Sequence, residues 1–379
     1  MADLHDAHVM DTHRFDVIVI GAGMAGATCA AQLSADLKVA LIEAEEAAGY
    51  HTTGRSAALW IQNYGPPDVQ ALTGMSRAFF EAPPPGFTDG ALMAPRAVIN
   101  LAPPEQEAHL LRVLEEGVGL REISIAAVRE LVPALKPDYA VRASIETDAF
   151  DMDVAALHQG FLRQLRANGG VLALRSRAGR ISRDDAVWQV ETSAGAVFQA
   201  PVVINAAGAW GDQIAGLAGI RPLGLTPKRR TAVVIDPAPF VPTDWPMLGD
   251  IDHTWYCRAE ARTRLMVSPA DETDDTPHDV QPDELDIAIA IDRLQQALAI
   301  DVRRVEHSWA GLRTFTPDRS LAFGWDGAAS GFMWCVGQGG YGIQTAPAAG
   351  RLVADLVLGR DPGIQGPILA MIDPRRFAA

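Results

Sequence analysis

The sequence predicts an α/β fold: a parallel-sheet domain joined to a discontinuous second domain of α+β character, built on a mixed or antiparallel sheet. Three observations predict it. A glycine-rich turn links an apolar strand to a helix near the start of the chain. An acid follows at the end of the next strand. The strand, small-residue turn and helix then return in the middle of the chain and at its end.

Residues 15–20 (Phe-Asp-Val-Ile-Val-Ile) form a nearly all-apolar, β-branched run, as in a strand buried on both faces of a parallel sheet. Gly21-Ala22-Gly23-Met24-Ala25-Gly26 follows, and residues 27–33 continue as a helix. Gly21 permits the turn, Gly23 lets backbone approach a pyrophosphate, and Gly26 lets helix and strand pack closely. The pyrophosphate of a dinucleotide would meet the helix N-terminus, where free N–H groups and the dipole favour negative charge. Residues 38–42 make a second strand ending at Glu43, about 20 residues on, where an acid accepts hydrogen bonds from a ribose. This is the fingerprint of a Rossmann-like unit.

Residues 49–58 (Gly-Tyr-His-Thr-Thr-Gly-Arg-Ser-Ala-Ala) extend that unit as a flavin loop rather than a nicotinamide loop. Proline-rich breaks at 66–67, 83–85 and 103–104 mark turns between elements. Residues 152–168 read as an amphipathic helix with Leu157, Phe161, Leu162 and Leu165 on one side, and 171–174, 179–182 and 187–192 as short strands. The strand at 202–206 ends in small residues, Ala207, Gly208 and Ala209, before Trp210 and a helix near Gly211. That turn either lies against a ligand or is an ordinary tight connection. Residues 225–235 and 309–315 read as strands of the second domain and its neighbour. Residues 332–336 form a last strand, Gly337 to Gly342 a loop, and 343–358 a helix that tolerates Pro347 in its first turn. The expected division is 12–65, 150–220 and 310–379 for the cofactor domain, and 66–149 and 221–309 for the substrate domain.

The chain of 379 residues is long enough for two domains. Its formal net charge of -15 argues against nucleic acid or anionic membrane partners. No apolar run spans a bilayer, so no stable membrane insertion is expected. Residues 1–14 lack the apolar stretch of a signal peptide and read as a short lead-in, disordered over 1–11. Cys29, Cys257 and Cys335 lack metal spacing and read as buried free thiols in a reducing, cytoplasmic setting, with no metal expected.

Two arginines stand out because the guanidinium fork matches a carboxylate. Arg230 shares a strand face with Ala232 and Val234, opposite Arg229. Arg313 lies in the mostly apolar strand Gly311-Leu312-Arg313-Thr314-Phe315. From the residues alone they are either a substrate clamp or two structural ion pairs.

The motifs G-A-G-M-A-G, G-Y-H-T-T-G-R-S-A-A, A-L-H-Q-G, V-I-N-A-A-G-A-W, R-P-L-G-L-T-P-K-R-R, D-W-P-M-L, W-A-G-L-R-T-F and Q-G-G-Y-G-I-Q-T run in order from near residue 15 to near 350. The chain thereby resembles the FAD-dependent amino-acid oxidoreductases of the D-amino acid oxidase superfamily, and within them the bacterial FAD-dependent D-arginine dehydrogenases. The resemblance implies oxidative deamination of a D-amino acid to a 2-oxo acid and ammonia, by hydride transfer from Cα to flavin N5. It implies non-covalent FAD, since no suitably placed Cys or His lies at 313–318. It places Gly21, Gly23, Met24, Ala25, Gly26, Glu43 and Ala44 at the nucleotide, with Ala178 near the adenine. It places His51, Thr52, Thr53, Gly54, Arg55, Ser56, Ala57 and Ala58 around the ribityl and isoalloxazine. Ala207, Gly208, Trp210 and Gly311 add to the cofactor site, and Gly339, Tyr341, Gly342, Ile343 and Gln344 hold the pyrimidine end.

The resemblance assigns Arg230, Arg313 and Tyr256 to the substrate carboxylate, Tyr64 to a mobile loop over the site, and the Gly340 carbonyl to the substrate amine. Either tyrosine is otherwise an ordinary half-buried residue. The substrate pocket comprises Leu59, Ile61, Val98, Met247 and Gly249. The D-arginine enzymes carry a histidine, a threonine and a glutamate where this chain has Leu59, Ile61 and Val98. A substrate less polar than D-arginine is therefore expected, because an unpaired buried guanidinium costs several kcal/mol. The alternatives are a glycine-, sarcosine- or other secondary-amine oxidase of the same superfamily, a non-catalytic flavin-binding protein, and, more remotely, an NAD-dependent dehydrogenase. The expected partners are a small amino acid and an electron acceptor, whether quinone, another carrier or oxygen.

Overall fold

A computed structural model describes residues 12–377, so the lead-in expected at 1–11 lies outside the described residues. Thr12–Arg14, read from sequence as part of that lead-in, instead forms a short strand parallel to Val197–Ala200.

The apolar runs assemble into a six-stranded sheet in the order Val171–Ala173, Val39–Ile42, Val17–Ile20, Val202–Asn205, Phe332–Val336 and Ala322–Trp325. All neighbours are parallel except the last pair. Alternation divides the side chains between two cores. Val17, Val19 and Leu41 face the helices Met24–Leu33, Val154–Ala167 and Ala346–Leu358. Ile18, Ile20 and Ile42 face a smaller sheet that contributes Trp188, Val190 and Phe198. Both faces are therefore covered, which accounts for the unbroken apolar runs. Gly21 adopts φ +101°, and a Cβ on Gly26 would stand 1.8 Å from the Gly21 carbonyl oxygen. The tight turn and close packing expected of these two glycines are both present.

A second, nine-stranded sheet runs Thr273–Asp274, Thr226–Ile235, Arg264–Ser268, Tyr256–Glu260, Met247–Asp250, Val98–Ala102, Arg142–Glu146 and Arg121–Ile123, with Val305–Phe315 also paired to Thr226–Ile235. It is antiparallel except where Met247–Asp250 meets Val98–Ala102. One face carries Val233, Leu265, Val267, Leu248 and Ile99 against the helix Glu284–Ala297. The opposite face carries Arg230, Ser268, Tyr256, Gly249 and Asn100, because directly paired residues share a face. Val305–Phe315 crosses the expected domain boundary at 309/310 as one strand.

The C-terminal helix begins at Ala346, not near residue 343. The preceding segment is wound into turns, with Tyr341 N donating to Gln338 O at 2.8 Å and Thr345 N to Tyr341 O at 3.2 Å, after Gly339 at φ +50° breaks the chain direction. A 3-10 turn, Gly208–Trp210, precedes the helix Gly211–Leu217. Asn205 ties that junction by donating to Gly211 O at 2.7 Å. The three cysteines are free and buried, and Cys29 and Cys335 meet at 3.5 Å between sulfurs.

Candidate active site

The carboxyl ends of the parallel strands and the polar face of the second sheet enclose a cavity of about 400 Å³. Gly21, Gly23, Met24, Ala25, Glu43, Ala44, His51, Thr52, Thr53, Arg55, Ser56, Ala57, Ala178, Ala207, Gly208, Trp210, Gly311, Gly339, Gly342 and Ile343 all line it, together with Arg230, Tyr256, Arg313 and Gly340. Gly26, Gly54, Ala58, Tyr341 and Gln344 do not; they support the lining from behind. Gly54 N donates to Gly49 O at 2.8 Å, and Gln344 donates to Thr73 Oγ1 at 2.8 Å and accepts from Ile61 N at 3.3 Å. The lining also includes Ala232, Trp309, Gln213, Ser176 and Gln338, which motif reading did not select. Period-two alternation from Arg230 and from Gly311 to Arg313 would have found Ala232 and Trp309.

At the nucleotide end the polar groups are mostly backbone. Glu43 stands in register below the glycine turn and accepts from Ala22 N at 2.7 Å and Glu45 N at 3.0 Å. Thr53 Oγ1 accepts from Met24 N at 2.9 Å, at the N-terminus of the first helix. His51 lies 3.1 Å from a Glu45 carboxylate oxygen, with its ring 4.6 Å from that of Trp210. Thr52 donates to Leu312 O at 2.7 Å and Trp309 to Arg55 O at 3.0 Å, which fastens the loop to the strand of Arg313. The Arg55 guanidinium is committed elsewhere than the cofactor. It donates to Val280 O at 2.9 Å and Ala310 O at 3.0 Å and pairs with Asp279.

The far end is built from side chains. Arg230 pairs with Gly311 and Lys228 with Arg313 across two antiparallel strands, so both arginines stand on the cavity face. Arg230 Nε donates to Asp271 O at 2.9 Å, and Nη2 reaches Glu272 at 3.3 Å. Arg313 is different. Its Nη1 donates to the Tyr64 hydroxyl at 3.2 Å, and among the described residues no carboxylate lies within 4.0 Å of it. Burial works against its charge, but Tyr64, Tyr256 and Tyr341 nevertheless hold its pKa above the usual value. Burial pushes the Tyr256 phenol up, yet Arg313 and Arg230 draw it below its ordinary value. Burial pushes Tyr341 up to about 12. A Cβ on Gly340 would lie 2.7 Å from Arg313 Nη1, so a side chain there would push the guanidinium aside. Tyr64 sits behind Arg313 rather than on the lining, edge-on to Tyr341 at 5.1 Å.

Leu59, Val98 and Ala149 form one apolar cluster with Ile61 and Met247 packed against it. Strand register places Met247 and Val98 on the face that carries Tyr256. The cluster is adjacent to the cavity wall but not part of it, and Leu59 and Val98 are buried. Gly249 is also off the lining; a Cβ would meet Trp255 O at 2.7 Å.

Fold and site together set a glycine-turn cradle on the parallel sheet against two arginines on the facing one. The family model for FAD dependent oxidoreductases, DAO, matches residues 16–356, and the chain belongs to that family. Its cofactor is accordingly FAD, and the small-residue cradle around the helix N-terminus fits that group. The chain is 27% identical to glycine oxidase of Pseudomonas aeruginosa over 96% of its length and 98% of that protein. It is 29% identical to FAD-dependent oxidoreductase domain-containing protein 1 of Xenopus laevis over 46% of this chain, a match spanning only 38% of that relative. Glycine oxidase from Geobacillus kaustophilus shares the fold, with a TM-score of 0.83, 22% identity and coverage of 94% of this chain and 98% of that one. The protein is thus an FAD-dependent oxidoreductase. Among the described residues no helix is long and apolar enough to cross a membrane.

Proposed function

We propose that the protein oxidises the Cα–N bond of a D-amino acid less polar than D-arginine, giving a 2-oxo acid and ammonia after imine hydrolysis. The observation that carries this reading is Arg313: a guanidinium opening into the cofactor cavity with no carboxylate of the described residues within 4.0 Å. A buried cation without a counter-ion is costly, and a substrate carboxylate removes that cost. In this reading Arg313 and Arg230 grip the carboxylate, the Tyr256 hydroxyl donates to it, and the Gly340 carbonyl accepts from the amine. Tyr64 orients Arg313. FAD, when bound, supplies the acceptor for the Cα hydride, and the clamp fixes which face of Cα is presented. In this reading the amine loses its proton to water.

The apolar cluster of Leu59, Ile61, Val98 and Met247 lies behind the cavity lining and offers no charged group to a substrate side chain, which is compatible with an uncharged one. We assign 12–65, 150–220 and 310–379 to FAD, held non-covalently, and 66–149 and 221–309 to the substrate, with the enzyme acting in the cytoplasm. A second reading, oxidation of glycine or an N-substituted amino acid, is favoured by one observation. Leu59 and Val98 pack against each other instead of opening into the cavity, which leaves little depth for a side chain. A panel of D-leucine, D-phenylalanine, D-methionine, D-arginine, glycine and sarcosine separates them. The first reading expects the highest kcat/KM on an apolar D-amino acid. Preference for D-arginine would overturn it, and preference for glycine or sarcosine would establish the second. Running each assay with an acceptor dye and again for hydrogen peroxide distinguishes dehydrogenase from oxidase.

A further inference from the structure

The two arginines of the clamp are not equivalent. Arg313 is open, whereas Arg230 is already engaged by a carboxylate of the protein. The register Lys228 with Asp274 and Arg229 with Thr273 continues so that Glu272 falls beside Arg230. One oxygen, Oε1 of Glu272, accepts from Arg230 Nη2 at 3.3 Å and from Arg319 Nη2 at 3.0 Å. Arg319 is set in place for this. Its backbone is in the left-handed region at φ +65°, and its guanidinium lies 4.1 Å from the Phe315 ring centroid. Arg230 Nε is occupied by Asp271 O, so Glu272 takes part of the remaining donor edge. The Glu272 side chain keeps 35% exposure, enough to leave Arg230 without unpacking a core.

We propose that Glu272 is a resident competitor for the substrate carboxylate at Arg230, and that Arg319 sets the strength of that competition by holding Glu272 when substrate arrives. This rests on the reading of Arg230 and Arg313 as a carboxylate clamp. The substrate carboxylate enters at Arg313, shares and then displaces Glu272 from Arg230, and Glu272 stays on Arg319. Glu272 therefore keeps a cationic partner throughout the exchange. Burial raises the Glu272 carboxyl, but Arg319, Arg230 and Arg313 hold it below its ordinary value, so the competitor is ionised at neutral pH.

The idea makes two neighbouring substitutions act in opposite directions. Glu272→Gln removes the competitor's charge and tightens carboxylate binding. Arg319→Ala leaves Glu272 with Arg230 alone and weakens it. A purely structural brace would make both substitutions weaken binding. The test measures the dissociation constant of benzoate for the FAD-loaded protein by perturbation of the flavin spectrum, alongside KM for the preferred substrate. Glu272→Gln is expected to tighten benzoate roughly 2–5-fold and Arg319→Ala to weaken it by a similar factor, the scale of partly exposed ion pairs. The double variant should behave like Glu272→Gln, and Glu272→Asp should shift binding in the same direction by less. Shifts of the same sign, or no shift in either single variant, overturn the proposal. Arg313→Ala is the control for the underlying reading. If it leaves benzoate binding unchanged, the clamp itself is wrong. If it abolishes binding while Glu272→Gln and Arg319→Ala fail to diverge, only the competition is wrong.

Discussion

The nucleotide end and the clamp end of the cavity are built on opposite principles. Near Gly21 and Gly23 the site is made of backbone: a turn at φ +101°, a helix start, and an acid that itself binds main-chain N–H groups. Near Arg230 and Arg313 it is made of long side chains standing on one face of a twisted sheet. The first kind of site tolerates almost no added volume, because the chain is already in contact with itself. The second kind tolerates substitution structurally and loses only what the side chain did.

Substitutions should expose that difference, and the largest effect is expected at the backbone end. Gly26→Ala puts a methyl group 1.8 Å from the Gly21 carbonyl, so the helix must move off the strand. A loss of about 3 kcal/mol or more in stability is expected, together with loss of bound flavin, measured by thermal unfolding and flavin content. Full flavin occupancy in that variant would show that the turn can relax. Arg313→Ala comes next. It should keep its flavin and its fold and lose about two to three orders of magnitude in kcat/KM, the usual scale for removing a charged partner of a desolvated carboxylate. Equal loss of flavin and of activity would mean that the two ends are not independent.

A smaller, pH-dependent effect is expected at Tyr256. Its phenol lies below the ordinary tyrosine value because two arginines adjoin it. The neutral phenol donates to a carboxylate and the phenolate repels it. KM should therefore rise with pH as Tyr256 ionises, at a pH below the ordinary tyrosine range, and bound substrate should move that rise upward by neutralising the arginines. Tyr256→Phe should raise KM at neutral pH and remove the alkaline limb; a limb unchanged in that variant would assign it to another group. The smallest effect is expected from Val98→Glu, which should bring measurable activity on D-arginine if Val98 stands where the side chain of the substrate ends.

The same contrast explains how much was legible in the sequence. Strand, turn and acid in 15–43 are local, so their roles in the fold follow from spacing, and the face shared by Arg230 and Ala232 follows from alternation. What depends on distant pairing was not legible. Nothing near Arg55 signals that its guanidinium is taken by Val280 and Ala310, more than 200 residues away. Nothing near Cys29 signals Cys335, and nothing near Glu272 signals Arg319. Nothing local to Thr12–Arg14 signals a strand, because its partner, Val197–Ala200, supplies the reason for it to be ordered. Ile343 fits the apolar stripe of the C-terminal helix, yet the helix starts three residues later because the glycines before it hold the backbone in turns.

The most direct test is anaerobic mixing of the FAD-loaded protein with an apolar D-amino acid while flavin absorbance is followed. The wild-type flavin should bleach, and the flavin of Arg313→Ala, bound to the same extent, should not. Bleaching of both at the same rate would contradict the assignment of Arg313 as the open half of a carboxylate clamp.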